Sequence, residues 1–429
     1  MKYNVLVYPA GTEIAFEIFN ALRYSKFVKL YGATSVPCHA EFVFDTCVSG
    51  IPFADDPAVI DALNHIVDRY RIDFIYPAHD TALLTLTQNQ DRLNAKVVTS
   101  PVETVEICRN KNKTYEFLKG ADYLPKFFHD AADVDRFPVF VKPAVGQGAE
   151  GVMLVNDRWE LREVMESGKE YAVCEYLPGA EFTVDCFTDK DGHLRYAGQR
   201  TRERIRSGIA VRSRAVFPVY EEVIEMAMDL NKRLKFNGAW FFQVKEDAKG
   251  FCKLMEVAPR IAGTMGLSRN RGVNLPLLTL YNMLGKDVDI IVNTDHIMLD
   301  RAFISRFETN MEYDTVYVDL DDTLITDGKV NTMLMAFLYQ AQNQGKRIVL
   351  VTKNDGSYGV FRKLARVNID PMLFNDIHYL PKDGDKADYI HRGGIFIDDS
   401  FAERLNVHEK CYIPVFDLDM VESLIDWRA

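Results

Sequence analysis

The fold of this chain is constrained most by where its apolar periodicity changes. Tyr3–Tyr8 is a short apolar run that stops at Pro9-Ala10-Gly11. Ile14, Phe16, Ile18, Phe19 and Leu22 then recur at roughly helical spacing, so the segment reads strand, turn, helix, the first unit of a parallel sheet. Residues 56–72 predict a second helix, with Val59, Leu63, Ile66 and Tyr70 on one stripe. It leads into Phe74-Ile75-Tyr76-Pro77, a strand stopped by proline. Residues 1–105 are therefore expected to form a small doubly wound, Rossmann-like domain. Gly11 alone is not a dinucleotide fingerprint.

From 106 to 305 the pattern becomes strand-rich. Strands are predicted at Pro138–Lys142, Gly151–Val155, Tyr171–Tyr176, Phe182–Phe187, Ala239–Lys245 and Phe251–Val257, with helices at 113–119, 158–166 and 220–235. This predicts an α+β domain with antiparallel sheet. Residues 296–313 have charges without a period and read as a linker. From Thr315 the strand–helix alternation returns through residue 429. The expected organisation is a three-domain α/β and α+β chain, with domains at 1–105, 106–305 and 314–429.

Composition narrows the function classes. Of a net charge of −11, residues 311–429 carry −7, from 20 acids and 13 bases. Such a balance disfavours a nucleic-acid backbone binder. The seven cysteines lack C-x-x-C spacing, so neither a disulfide framework nor a structural zinc site is indicated. The N-terminus lacks the apolar core of a signal peptide, and no run is long enough to span a membrane. The expectation is a cytoplasmic protein with no membrane and no nucleic-acid partner; a homo-oligomer is compatible with the sequence.

Three segments of the middle region carry chemistry. Phe137–Pro143 reads as a strand with one lysine, Lys142, followed by a turn with Gly146, Gly148 and Gly151. Exposed N–H groups in such a turn can cradle phosphate, and the lysine adds a point charge. The same pattern also fits a hairpin turn with a surface lysine. Next, Ala172–Glu181 is an apolar strand broken at Pro178-Gly179. It offers Glu175 and Glu181 to a ribose, and its backbone beside Leu177 to an adenine; a solvated turn is the plainer reading. Last, Gln243 and Glu256 on strand-like segments make an oxygen set suited to Mg²⁺. Arg260 stands four residues on, where it can clamp a phosphoryl group or simply pair with Glu256.

Taken in order, these segments resemble the ATP-grasp superfamily, with carbamoyl-phosphate-synthase-like features in Gly272–Pro276. The resemblance covers about 300 residues. It implies that Lys111 is the first nucleotide lysine and that residues 1–105 are a pre-ATP-grasp domain. It also implies ATP and Mg²⁺ as cofactors. The implied reaction is ligation of a small-molecule carboxylate to an amine through an acyl phosphate. The chain departs at Ala258, where the family commonly has an asparagine that ligates a second Mg²⁺. That departure prompts an alternative, a nucleotide-sensing module without ligase activity. The arginine-rich stretch Gln199–Arg214 is expected to place 200, 202, 204 and 206 on one strand face, unpaired by acids except Glu203. Arg202 and Arg204 are then candidate ligands for phosphate or an acidic substrate, against a solvated face as the plain reading.

In the C-terminal region three strands end in chemistry. Thr315–Val318 runs into Asp319-Leu320-Asp321-Asp322-Thr323, Arg347–Val351 ends at Thr352, and Ile395–Ile397 ends at Asp398-Asp399, with Lys386 on the approach. In an open α/β sheet these ends gather on one edge. Acids this dense call for a bound cation. The set resembles the haloacid dehalogenase (HAD) superfamily over about 115 residues. The resemblance implies Asp319 as nucleophile and Asp321 as general acid and base. Thr352 and Lys386 would hold phosphoryl oxygens. Asp319, Asp398 and the carbonyl of residue 321 would bind Mg²⁺, supported by Asp399. Neither interval, Asp319 to Thr352 or Thr352 to Lys386, has room for a cap domain. An open phosphatase for a phosphoester is expected, or a phosphotransferase, and the fusion suggests that both sites serve one pathway.

Overall fold

The computed structural model describes residues 2–146, 148–293, 296–354 and 356–428. The chain divides into two compact units, Met1–Phe303 and Ile304–Ala429. Residues on both sides of position 105 thus share one unit. No helix among the described residues is long and apolar enough to cross a membrane.

The N-terminal unit begins with a five-stranded parallel sheet. Its order is Cys47–Ser49, Val28–Thr34, Tyr3–Tyr8, Phe74–Pro77, Lys96–Val97. Alternate residues of Tyr3–Tyr8 enter two different cores, Val5 and Val7 on one face and Leu6 and Tyr8 on the other. Both faces are covered, as a parallel sheet requires. The Val5 core also takes in Ile261, Met265, Leu275 and Leu280. That shared apolar core is why this sheet and the following region form one unit rather than two.

The strand-rich region builds two antiparallel sheets. One has the order Phe127–Phe128, Tyr171–Glu175, Val139–Pro143, Met153–Val155. The other has the order Leu194–Thr201, Glu181–Thr188, Gly238–Glu246, Cys252–Ala258. Its period-2 alternation sorts residues by face. Phe182, Val184, Cys186, Trp240, Phe242, Val244 and Leu254 are buried against Val223, Met226, Ala227 and Leu230 of the helix Glu221–Arg233. The opposite face carries Thr183, Asp185, Gln243 and Glu256.

One register shift matters. Gln243 pairs with Glu256 and Val244 pairs with Leu254, so Met255 is an extra residue, a β-bulge. A second departure from the sequence expectation concerns the region read as a linker. Met298–Asp300 is a strand, paired with Ile209–Arg214 in a three-stranded sheet that also holds Arg204–Arg206. Apolar periodicity is too short there to show it.

The C-terminal unit is a second five-stranded parallel sheet. Its order is Asp376–Tyr379, Arg347–Thr352, Thr315–Val318, Gly394–Ile397, Val415–Phe416. Val316, Val318, Ile348 and Leu350 face one core, and Tyr317, Val349 and Val351 the other. Only a small hairpin, Ile325–Thr326 with Lys329–Val330, separates the first strand from the helix Thr332–Asn343.

The apolar face of the antiparallel sheet is anchored by Trp240. It is fully buried, stacked on Phe236 at 3.9 Å between centroids, and donates from its indole to Thr188 Oγ1 at 2.8 Å. Trp240→Ala is expected to cost about 3–5 kcal/mol. Urea unfolding followed by circular dichroism checks this; a loss under ~1 kcal/mol would show that the face repacks.

Candidate functional sites

In the N-terminal unit the polar face of the second antiparallel sheet carries one ladder row of chemistry. Arg200 pairs with Thr183, Thr183 with Gln243, and Gln243 with Glu256, each directly across neighbouring strands. Directly paired residues point to the same side. Gln243 and Glu256, on consecutive strands, therefore present their oxygens side by side. That fits a Mg²⁺ site whose remaining ligands are phosphate and water.

Two clefts flank this row. One is lined by Lys142, Glu175, Leu177, Lys245 and Met255. Lys142 is 5% exposed, and its Nζ has Met255 Sδ at 3.5 Å. Among the described residues no carboxylate pairs with it. Burial holds its pKa below the ordinary lysine value, with Cys174 and Glu256 opposing the shift. A buried ammonium against a sulfur is a costly arrangement that an anionic ligand would relieve. Glu175 accepts from the Lys126 backbone N–H at 2.8 Å, and Leu177 is buried.

The other cleft brings together Lys111, Gly146, Gly148, Glu256, Ala258 and Arg260, with Arg109 and Asp80. Gly148 and Ala149 both have positive φ, as a phosphate-cradling turn needs. Gly151 also has positive φ, and a Cβ there would stand 3.0 Å from Pro143. Its role is to close the turn; it does not line the cleft. Lys111 Nζ donates to the Pro143 carbonyl at 3.3 Å, which ties it to the lysine strand.

Arg260 is not paired with Glu256. Its Nε and Nη2 donate to Asp80 at 2.6 and 2.7 Å, a bidentate bond across 180 residues. Burial pushes the Asp80 carboxyl up, but Arg260 outweighs it and leaves it below the usual range. Asp80 begins the helix Asp80–Gln88, just past the end of the strand Phe74–Pro77. Sequence reading missed it. The signal was present, an acid following a parallel strand, but nothing linked it to Arg260.

The arginine stripe is a correction. Residues 200–206 do not lie on one strand, because one strand ends at Thr201 and the next begins at Arg204. Nor are Arg200, Arg202 and Arg204 unpaired. Arg200 binds Asp185 at 2.9 Å, Arg202 meets Glu181 at 2.6 Å, and Arg204 meets Asp300 at 2.7 Å. Arg204 is exposed on the outer hairpin, whereas Arg202 occupies Glu181. Glu181 is thereby committed to Arg202, with Lys245 at 4.0 Å. Long-range acids from other strands supply the partners, and sequence spacing does not show them.

In the C-terminal unit the expected residues do gather at one sheet edge. One oxygen each from Asp319, Asp398 and Asp399 lie within 4.8 Å of one another, a fit for a divalent cation. Lys386 Nζ bridges Asp319 and Asp398 at 2.7 and 2.6 Å. Burial lifts the Asp319 carboxyl to about 7, with Lys386 opposing and Asp398 adding. Burial likewise raises Asp398. Thr323 donates to Asp399 at 2.9 Å and receives its backbone N–H at 3.0 Å. Thr352 is buried at the end of its strand. Asp321 lies apart from the cluster, its carboxylate held by Lys363 at 2.6 and 2.7 Å and by Asn354 at 3.0 Å. Sequence reading missed Lys363 and Asn354: Asn354 stands two residues past the strand Arg347–Thr352, and Lys363 lies on the helix Ser357–Arg366 that follows.

Comparison with known proteins bears on the N-terminal unit. Residues 167–301 match a family described as ATP-grasp in the biosynthetic pathway with Ter operon. The chain is similar to the carbamoyl phosphate synthase large chain of Thermoplasma acidophilum, 28% identical over 138 residues, covering 28% of this chain and 13% of that one. It is also similar to D-alanine–D-alanine ligase of Fusobacterium nucleatum, 28% identical over 95 residues, covering 22% and 33%. The chain thus spans a third or less of these relatives. Among solved structures, a biotin carboxylase from Campylobacter jejuni superposes with a TM-score of 0.58 at 16% identity, over 70% of this chain and 75% of that one. The likenesses support the ATP-grasp superfamily, and the protein has an ATP-grasp-like mixed α/β multidomain fold.

Replacing Lys142 by methionine should raise stability at neutral pH by about 1–2 kcal/mol, because a buried unpaired ammonium is removed. The sign follows from its lowered folded pKa. The unfolded chain binds the proton more tightly, so the penalty is full at low pH and fades as pH rises through the folded value. Thermal melting at two pH values checks this; a lower midpoint for Lys142→Met would reveal a compensating partner.

Proposed function

We propose that the N-terminal unit is an ATP-dependent carboxylate–amine ligase and the C-terminal unit a Mg²⁺-dependent phosphomonoester hydrolase of HAD type. The observation that carries the first half is Lys142, buried without a carboxylate beside the Gln243–Glu256 row. The Campylobacter structure is a β,γ-ATP complex, and two relatives are a synthase and a ligase by name. These support the reading.

In this reading Lys142, Lys111, Gly146 and Gly148 hold the phosphates, and Leu177 lies in the cleft beside the nucleotide. Gln243 and Glu256 would hold Mg²⁺, which would neutralise phosphate charge there. Arg260, fixed by Asp80, bears on the transferred phosphoryl group. A substrate carboxylate oxygen bonds to the γ-phosphorus as the bond to ADP breaks. An amine then bonds to the acyl carbon, inorganic phosphate leaves, and the ammonium loses a proton. Ala258 favours a second reading, nucleotide binding without ligation.

In the C-terminal unit Asp319 would attack the phosphoester phosphorus while Asp321 protonates the leaving oxygen. A water would then cleave the aspartyl phosphate, giving its proton to Asp321. Lys386 offsets part of the charge of Asp319 and Asp398. Asp398 and Asp399 would hold Mg²⁺ with Asp319.

Lys142→Ala should weaken ATP binding at least tenfold by equilibrium titration, and unchanged affinity would count against the nucleotide grip. Glu256→Ala should abolish Mg²⁺-dependent ADP release under a carboxylate and amine screen. ATP bound tightly by the wild type with no turnover across that screen would favour the second reading. Asp319→Asn should remove phosphate release from phosphomonoesters while ATP binding stays intact; retained release would refute the nucleophile.

A further inference from the structure

The polar face of the antiparallel sheet continues past the Gln243–Glu256 pair. Thr183 Oγ1 and Arg200 Nη1, in the same ladder row, are buried without a hydrogen-bond partner. Arg200 is 1% exposed. Its Nε and Nη2 are fixed on Asp185 at 2.9 and 3.1 Å, and Asp185 also accepts from the Ser268 hydroxyl at 2.8 Å. Two arms of the guanidinium are thus committed, and the third has no acceptor.

A second guanidinium repeats the pattern. Arg301 follows the strand Met298–Asp300, and its backbone N–H donates to Val211 at 2.8 Å. Its Nη1 is also buried without a partner. Burial holds Arg301 below its ordinary value, and the charges that act on it are Glu13, Glu17 and Arg200. The two arginines therefore belong to one neighbourhood.

Glu13, in the first turn of the helix Glu13–Leu22, closes the set. A Cβ added at Gly263 would lie 2.6 Å from Glu13 Cγ and 3.5 Å from Arg301 Nη1. The acid and the guanidinium thus approach the same point of backbone, which glycine leaves open. No ion pair joins them among the described residues. Glu17, by contrast, is taken by Arg269 at 2.7 Å.

We infer that this end of the face binds the carboxylate substrate of the ligase, and that the substrate is an α-amino acid. The inference rests on the ligase reading. Arg200 and Arg301 each offer an uncommitted N–H to a carboxylate. Glu13 offers a carboxylate to the α-ammonium, two bonds from the substrate's carboxylate carbon. Opposite charges that stand close without pairing are complementary to a small zwitterion. A dianion such as inorganic phosphate fits poorly, because Glu13, Glu17 and Asp185 repel it. Arg202 and Arg204, already paired with Glu181 and Asp300, are not needed for this role.

The test uses the full chain with ATP, Mg²⁺ and hydroxylamine as the amine, reading hydroxamate and ADP against the twenty proteinogenic amino acids and their D forms. At least one free amino acid should react, and its N-acetyl derivative should react at least tenfold less well. Arg301→Gln should raise the KM for that amino acid at least tenfold, with the ATP dissociation constant within twofold of wild type. Glu13→Gln, a change at a partly exposed position, should erase the preference for the free over the acetylated form. An unchanged KM in Arg301→Gln, equal use of the acetylated form by wild type, or no reaction with any amino acid while ATP still binds through Lys142 would overturn the inference. Wild-type protein that binds no ATP would instead overturn the ligase reading, and this inference with it. Melting curves of both variants separate loss of fold from loss of contact.

Discussion

The candidate chemistry of the N-terminal unit depends on register in one antiparallel sheet. Arg200, Thr183, Gln243 and Glu256 come from four strands, and only direct cross-strand pairing lines them up. The same pairing sends Val184, Phe242 and Leu254 to the other face, against the helix Glu221–Arg233. Fold stability and site geometry are thus two sides of one hydrogen-bonded surface. The core holds the register, and the register places the polar groups.

Much of this was legible in the sequence, and for a physical reason. The strands Tyr3–Tyr8, Phe74–Pro77 and Thr315–Val318 are apolar runs bounded by turn residues, so period and punctuation mark them. Lys142, Glu256 and Asp319 stood out because a charge in or at the end of an apolar strand is costly without a partner. Partners themselves were less legible. Asp80 lies 180 residues from Arg260, and Asp185 and Asp300 reach the arginine stretch from other strands. Spacing along the chain records faces of single elements. It does not record which elements meet.

Buried charge is handled differently in the two units. In the C-terminal unit Lys386 sits between Asp319 and Asp398, so the protein brings its own cation to an acidic cluster. In the N-terminal unit Lys142 has Met255 Sδ and the Phe140 ring beside it and no carboxylate partner among the described residues, and Arg200 and Arg301 keep an N–H without an acceptor. With Asp399 the first arrangement sets three carboxylates against one ammonium, so it keeps a net negative charge for a divalent cation. The second leaves at Lys142 a positive charge with no carboxylate partner among the described residues, the polarity suited to phosphate, whereas Arg200 keeps only an N–H without an acceptor beside its pair with Asp185.

The bulge at Met255 has a consequence for how this strand tolerates change. Leu254 and Glu256 are two residues apart and on a regular strand would share a face. With Met255 inserted between their pairing positions, one belongs to the apolar side and the other to the polar side. The strand Cys252–Ala258 is therefore read in two phases, switched at a single residue. Losing or gaining one residue here would exchange the sides of everything on one flank of it, carrying Glu256 into the core or Leu254 out of it. Point substitutions at Met255 leave that phase intact, so at this position length is held more tightly than identity.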